Sequence, residues 1–124
     1  MIQGIEHAAI AANNVEALAD WYVRVLGFTI NYKSANAIFI KAPDGSMIEL
    51  IHAAGERGSQ TLKTPGLRHL ALRVDDFDAA LTALQQHDVA FEGKPVESKG
   101  NRVVFFSDPE GNYLHLLYRA TPLP

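Results

Sequence analysis

Residues 7–18 read HAAIAANNVEAL and residues 69–80 read HLALRVDDFDAA. Aligned at an offset of 62 residues, they superpose His7 on His69, Asn13 on Asp75, Asn14 on Asp76, Val15 on Phe77 and Ala17 on Ala79. Both halves read strand into helix. A second shared feature follows in each half. Pro43-Asp44-Gly45 leads after six residues to Glu49 in PDGSMIELI, and Pro109-Glu110-Gly111 leads after six to His115 in PEGNYLHLL. Four side chains able to bind a divalent ion therefore occupy two pairs of equivalent positions. Two copies of one unit related by a pseudo-twofold axis bring equivalent positions together, which predicts a shared metal centre.

Outward from these runs, Ile5 to Ala11 alternates as a strand. Asn13 or Asn14 then caps a helix through Val15, Leu18, Trp21, Tyr22, Val25 and Leu26, and Gly27 suits a left-handed cap. Phe28–Tyr32, Ala37–Lys41 and Met47–Ile51 read as strands, the last two joined by the Pro43-Asp44-Gly45 turn. That completes a βαβββ module over residues 1–53. Residues 54–66 have no apolar periodicity and read as a linker able to serve as a lid. The second module, 67–124, reads as strand Leu67–Val74, helix Asp76–His87, a weak strand near Val89–Glu92, a polar, mobile hairpin loop Gly93–Asn101, and strands Arg102–Phe106 and Tyr113–Tyr118.

At 124 residues the chain is one ordinary domain, able to bury roughly two-thirds of its unfolded surface without a staple. Its lack of cysteine excludes disulfides and thiolate zinc sites. No basic segment precedes an apolar run as in a secretion signal, so the cytoplasm is the expected location. No apolar run approaches the roughly 20 residues of a membrane span. A net charge of -3 with scattered Lys and Arg leaves no footprint for nucleic acid. The expected partner is a small molecule.

Strand parity separates the candidate ligands from the core, because alternate residues face opposite sides of a sheet. His7 shares a face with Ala9 and Ala11, His69 with Ala71 and Arg73, Glu49 with Ile51, and His115 with Tyr113 and Leu117. The greasier opposite faces can take the helices, and the alanines leave room beside the histidines for a concave site.

The two βαβββ units, His7 and His69, the WYVRVLGF segment, the two Pro-x-Gly turns and the GLRHLALRVDD run resemble the vicinal oxygen chelate superfamily. That superfamily includes glyoxalase I, methylmalonyl-CoA epimerase, extradiol dioxygenases, fosfomycin-resistance transferases and bleomycin-resistance binding proteins. The resemblance spans nearly the whole chain and is greatest to small bacterial glyoxalase I-like proteins. It implies an α+β fold, with the two modules forming a cupped, barrel-like mixed sheet and helices outside. It also implies metal ligands at His7, Glu49, His69 and His115, and a homodimer that builds its sites within one chain or between module one of one chain and module two of its partner. Glyoxalase I normally has glutamate at the last ligand position, where this chain has His115.

Three imidazoles and one carboxylate suit one divalent ion of Ni, Zn, Co, Fe or Mn. Such an ion can take two neighbouring oxygens of a hydroxyketone, a 2-oxo acid or a catechol and stabilise the oxyanion formed on proton removal. Glu49 is the candidate base, with His115 as the alternative. Arg73, on the face of His69, Arg102, near the second Pro-x-Gly turn, and Tyr113 are candidates for substrate binding, against a plainer surface or structural role for each arginine. His52 and His87 read as structural, the latter offsetting a helix dipole, and Trp21, Tyr22 and Phe28 read as core. Three functions compete: a glyoxalase-like metal-dependent lyase or isomerase, an Fe(II) dioxygenase using two histidines and Glu49, and a metal-free binding protein of the bleomycin-resistance kind.

Overall fold

Asn14 and Gly27 bound the first helix, as their chemistry requires. The Asn14 side chain accepts a hydrogen bond from Ala17 N at 3.0 Å, and Gly27 takes the left-handed conformation at φ 76° that disfavours a side chain. In the computed structural model, which describes residues 1–124, this helix is α1 (Val15–Leu26). It follows β1 (His7–Ala12) and precedes β2 (Thr29–Lys33), β3 (Ala37–Lys41) and β4 (Met47–His52). The second half repeats the order with one strand more: β5 (His69–Arg73), α2 (Phe77–Gln86), β6 (Ala90–Phe91), β7 (Val96–Ser98), β8 (Asn101–Ser107) and β9 (Tyr113–Tyr118). Two compact units result, Met1–Gly58 and Ser59–Pro124, and the linker divides between them.

The first unit is a four-stranded mixed sheet, ordered β1-β4-β3-β2, with only β1 and β4 parallel. Its helix α1 packs on β3 and β4. Leu18, Ala19, Trp21 and Tyr22 are buried, as are Ile38, Ile40, Ile48 and Leu50 on the alternate strand positions. Phe28 is buried too, so the three aromatics read as core lie in the core. His7, Ala9 and Ala11 on the opposite face are exposed, as parity requires.

The second unit is a five-stranded mixed sheet, ordered β5-β9-β8-β6, with β7 also pairing with β8. Asp76 caps α2, its side chain accepting from Ala79 N at 3.0 Å, and Phe77 and Leu84 join Val104, Phe106, Leu114 and Leu116 as its buried core. His87 is the C-cap residue of α2. The hairpin expected over Gly93–Asn101 is present, but part of it is the strand β7 rather than loop. Ser98 pairs with Asn101 across Lys99-Gly100, both left-handed at φ 53° and 80°. This is the geometry of a two-residue hairpin turn, reached with lysine where Asn or Asp usually stands.

The two Pro-x-Gly turns close in the same way. Gly45 N donates to Ala42 O and Gly111 N to Asp108 O, with positive φ at both glycines. In the second turn the buried Asp108 carboxylate also accepts from Glu110 N, Asn112 N and Asn112 Nδ2. These turns set where β4 and β9 begin, and hence the heights of Glu49 and His115. No helix is long and apolar enough to cross a membrane.

Candidate metal centre

In the first unit, β1 and β4 run parallel with Ala9 opposite Glu49 and Met47 opposite His7. His7 and Glu49 are therefore diagonal neighbours on one face. Only a methyl group stands at Ala9, so the imidazole can lean across, and Nε2 lies 3.6 Å from Glu49 Oε1. The other ring nitrogen, Nδ1, lies 2.9 Å from Glu6 Oε1. A carboxylate only accepts, so Nδ1 donates, and in the neutral ring Nε2 turns its lone pair toward Glu49.

The second unit repeats the diagonal. His69 pairs with Tyr113 and Ala71 with His115, and the His69 and His115 rings stand 4.4 Å apart between centroids. Burial, then the neighbouring charges of His69 and Arg119, lowers the His115 pKa to about 4. Its Nδ1 is buried without a hydrogen-bond partner. At physiological pH this imidazole is neutral and keeps a lone pair, as a ligand must.

These donors fit a divalent ion in chemistry and, in the first unit, in spacing. The 3.6 Å between His7 Nε2 and Glu49 Oε1 is a poor hydrogen bond, but a single ion at about 2.1 Å from each atom would span it. Each unit brings together one pair, His7 with Glu49 and His69 with His115, and no three His, Asp or Glu side chains gather into one cation-binding group.

The remaining candidates divide by face. Tyr113 shares the ligand face, and its hydroxyl donates to Gln60 O at 3.4 Å. Arg73 is an exposed residue at the end of β5, paired with Leu117. Arg102 departs from expectation. It pairs with Tyr118, whereas Ser107 pairs with Tyr113, so it lies at the end of the hairpin away from the second Pro-x-Gly turn. Its register also puts it on the helix side with Val104 and Phe106. There its guanidinium lies 2.9 Å from Asp78 Oδ1 and 4.4 Å from the centre of the Phe77 ring, ties within the second unit's own packing. His52 Nε2 lies 3.3 Å from Ala35 O.

Three residues that sequence reasoning passed over touch the candidate ligands. Glu6 is one. The others are Phe39, edge-on to His7 with centroids 5.2 Å apart, and Phe105, edge-on to His69 at the same 5.2 Å and 4.7 Å from His115. The offset of 66 residues that relates Glu49 to His115 also relates Phe39 to Phe105, so the signal was present.

Two related α+β units, each with a histidine opening its first strand and a second donor on its last, define a recurrent class. The model of the Glyoxalase/Bleomycin resistance protein/Dioxygenase superfamily matches residues 4–116. The chain belongs to that superfamily. It is 34% identical to the uncharacterized protein YaeR of Escherichia coli K12, across 93% of this chain and 95% of YaeR. Among solved structures, it is similar to TnmS3, an antibiotic-binding protein from Streptomyces sp. CB03234, at 25% identity and a TM-score of 0.76, covering 96% of this chain and 98% of TnmS3. A glyoxalase family protein from Enterococcus faecalis superposes with a TM-score of 0.77 at 25% identity, over 93% of this chain and 97% of that one.

Proposed function

We propose that His7, Glu49, His69 and His115 together hold one divalent ion, and that the protein is a metal-dependent lyase or isomerase moving a proton on a small substrate with vicinal oxygens. The observation that carries this reading is the repeated diagonal pair: His7 with Glu49 at 3.6 Å and His69 with His115 at 4.4 Å between rings. A bound divalent ion would supply Lewis-acid polarisation of the substrate oxygens. Glu49 is the residue to accept the proton, since its carboxylate lies beside the His7 ring on the open face. His115, with its pKa lowered to about 4, is a weaker base near neutrality than an ordinary histidine. Tyr113 can orient a substrate oxygen from the same face, and Arg73 can meet a substrate carboxylate from the far end of β5.

The protein is proposed to act as a homodimer. Ile5 and Leu67, each two residues ahead of a strand-opening histidine, are 92% and 93% exposed, and apolar surface of this kind suits coverage by a second copy.

Metal analysis of protein purified without added metal tests the first half of the proposal, with about one divalent ion per chain expected. Solvent-deuterium incorporation next to the carbonyl of hydroxyketones and 2-oxo acids tests the second. Oxygen uptake with a catechol in place of deuterium exchange would move the assignment to an Fe(II) dioxygenase. A metal-free binding function draws support from the likeness to TnmS3 and from Tyr32, 54% exposed and 6.1 Å from Phe39. Tight binding of a planar antibiotic by metal-free protein, without turnover, would favour it.

A further inference from the structure

We infer that Phe39 and Phe105 are a matched pair of positioning residues that fix the ring planes of the strand-opening histidines; the inference rests on the proposed metal-binding role of those histidines. An imidazole offers its lone pair only in the plane of its ring, so the ring plane decides where an ion can sit. Hydrogen bonding to the second nitrogen is one way to fix that plane. The first unit has it in Glu6, 2.9 Å from His7 Nδ1. At the equivalent position the second unit carries Arg68, a group with no acceptor, whose guanidinium is turned to Gln60 Oε1 at 3.1 Å and Thr61 O at 3.2 Å. The packed rings around His69 are Phe105 and His115.

Both units share an arrangement built across three strands. Phe39 pairs with Glu49 and Glu49 with Ala9; Phe105 pairs with His115 and His115 with Ala71. The alanine leaves a gap into which the preceding histidine leans, and the phenylalanine stops the ring edge-on at 5.2 Å in each unit, with planes at 76° and 89°. Edge-to-face packing favours that angle over free rotation. Identical spacing at equivalent positions of two diverged units is hard to assign to separate packing accidents.

The test compares Phe39→Leu and Phe105→Leu with Phe39→Tyr and Phe105→Tyr. In metal-free protein with labelled histidine, three-bond couplings and ring relaxation report whether each imidazole holds one orientation. We expect His69 to become mobile in Phe105→Leu and to be held again in Phe105→Tyr, with a smaller effect on His7 in Phe39→Leu because Glu6 remains. Zn²⁺ affinity should fall about tenfold in Phe105→Leu and recover in Phe105→Tyr, the size seen when an orienting neighbour of a ligand is lost. Phe105→Met gives the same comparison if the leucine variant does not fold. Imidazoles as ordered in the leucine variants as in the wild type, or Zn²⁺ affinity unchanged by them, would overturn the inference. Wild-type protein that binds no Zn²⁺ would instead overturn the metal reading, and ring order alone would then decide the role of the phenylalanines.

Discussion

His7 meets Glu49 diagonally across two parallel strands, Nε2 to Oε1 at 3.6 Å, while Glu6 holds the opposite side of the same ring. The diagonal follows from register, since Ala9 rather than His7 stands opposite Glu49. A carboxylate behind a ligating histidine fixes its tautomer and raises its basicity. Glu6 is 74% exposed, so solvent screens much of that help. Glu6→Ala is expected to weaken Zn²⁺ binding at the low end of the range for such partners, roughly tenfold, whereas His7→Ala should remove most of it. Isothermal titration of the two variants separates these outcomes, and equal losses would mean that Glu6 is itself a ligand.

His115 gives the pH dependence. Its pKa in the folded protein, about 4, lies below the ordinary 6.5, so between those values the unfolded chain binds a proton that the folded protein refuses. Folding stability should therefore fall as pH drops from about 6.5 toward 4 and level off below, when both states are protonated. Urea unfolding of metal-free protein across this range should show a steeper decline for wild type than for His115→Gln. Parallel curves would mean that the imidazole is not held neutral by its surroundings.

Arg102 should prove structural. Its guanidinium sits between Asp78 and the Phe77 ring, tying β8 to the start of α2. Asp78 is exposed, which limits the ion pair, and a cation over an aromatic face contributes about 0.5–1 kcal/mol at such sites. Arg102→Ala is expected to lower stability by about 1 kcal/mol while leaving Zn²⁺ affinity within twofold of wild type. A selective loss of substrate turnover in this variant, with stability unchanged, would return Arg102 to the site.

Most of this architecture is legible in the sequence because local chemistry decides it. Asn14, Asp76 and Gly27 mark helix ends by capping, and Pro43-Asp44-Gly45 and Pro109-Glu110-Gly111 mark turns by backbone preference. Period-two alternation separates Leu114 and Leu116 from His115. What escaped depends on partners distant in the chain. The strand Val96–Ser98 exists because β8 offers it a pairing edge across an atypical Lys99-Gly100 turn. Arg102 was placed by its nearness in sequence to Pro109, but a strand carries its first residue away from the turn at its end, and parity with Val104 and Phe106 points it at the helix. Phe39 and Phe105 lie outside the two matched stretches, which run from the strand-opening histidines into the helices and from the Pro-x-Gly turns into the last strands.

Replacing His115 by Glu should move the chemistry. His115→Glu supplies a second carboxylate and restores the ligand set of the glyoxalase I-like proteins that the sequence resembles. General-base catalysis is typically worth 10² to 10⁴-fold, so turnover of the hemithioacetal of methylglyoxal should rise measurably if the pocket admits it. Burial that keeps His115 neutral also raises a carboxyl pKa, so the gain should be larger above neutrality. Unchanged turnover with full Zn²⁺ retained would show that pocket shape, rather than the missing base, excludes this substrate.

The pairing of donors within units leaves one question for experiment: whether a complete ligand set combines the two units of one chain or of two. His7→Ala destroys the first unit's pair and His69→Ala the second's, so neither variant alone should bind Zn²⁺ tightly or turn over substrate. Unfolded together and refolded so that chains exchange, the two variants give different results in the two cases. If sites form between chains, each heterodimer has one site with both lesions and one with neither, and about half the wild-type binding should return in the heterodimer fraction. If sites form within chains, every site keeps one lesion and nothing returns. We expect recovery, since twofold association is the commonest assembly of small enzymes. Distinct affinity tags on the two variants allow the heterodimer to be isolated, and an isolated heterodimer as inactive as its parents would place the complete site within a single chain.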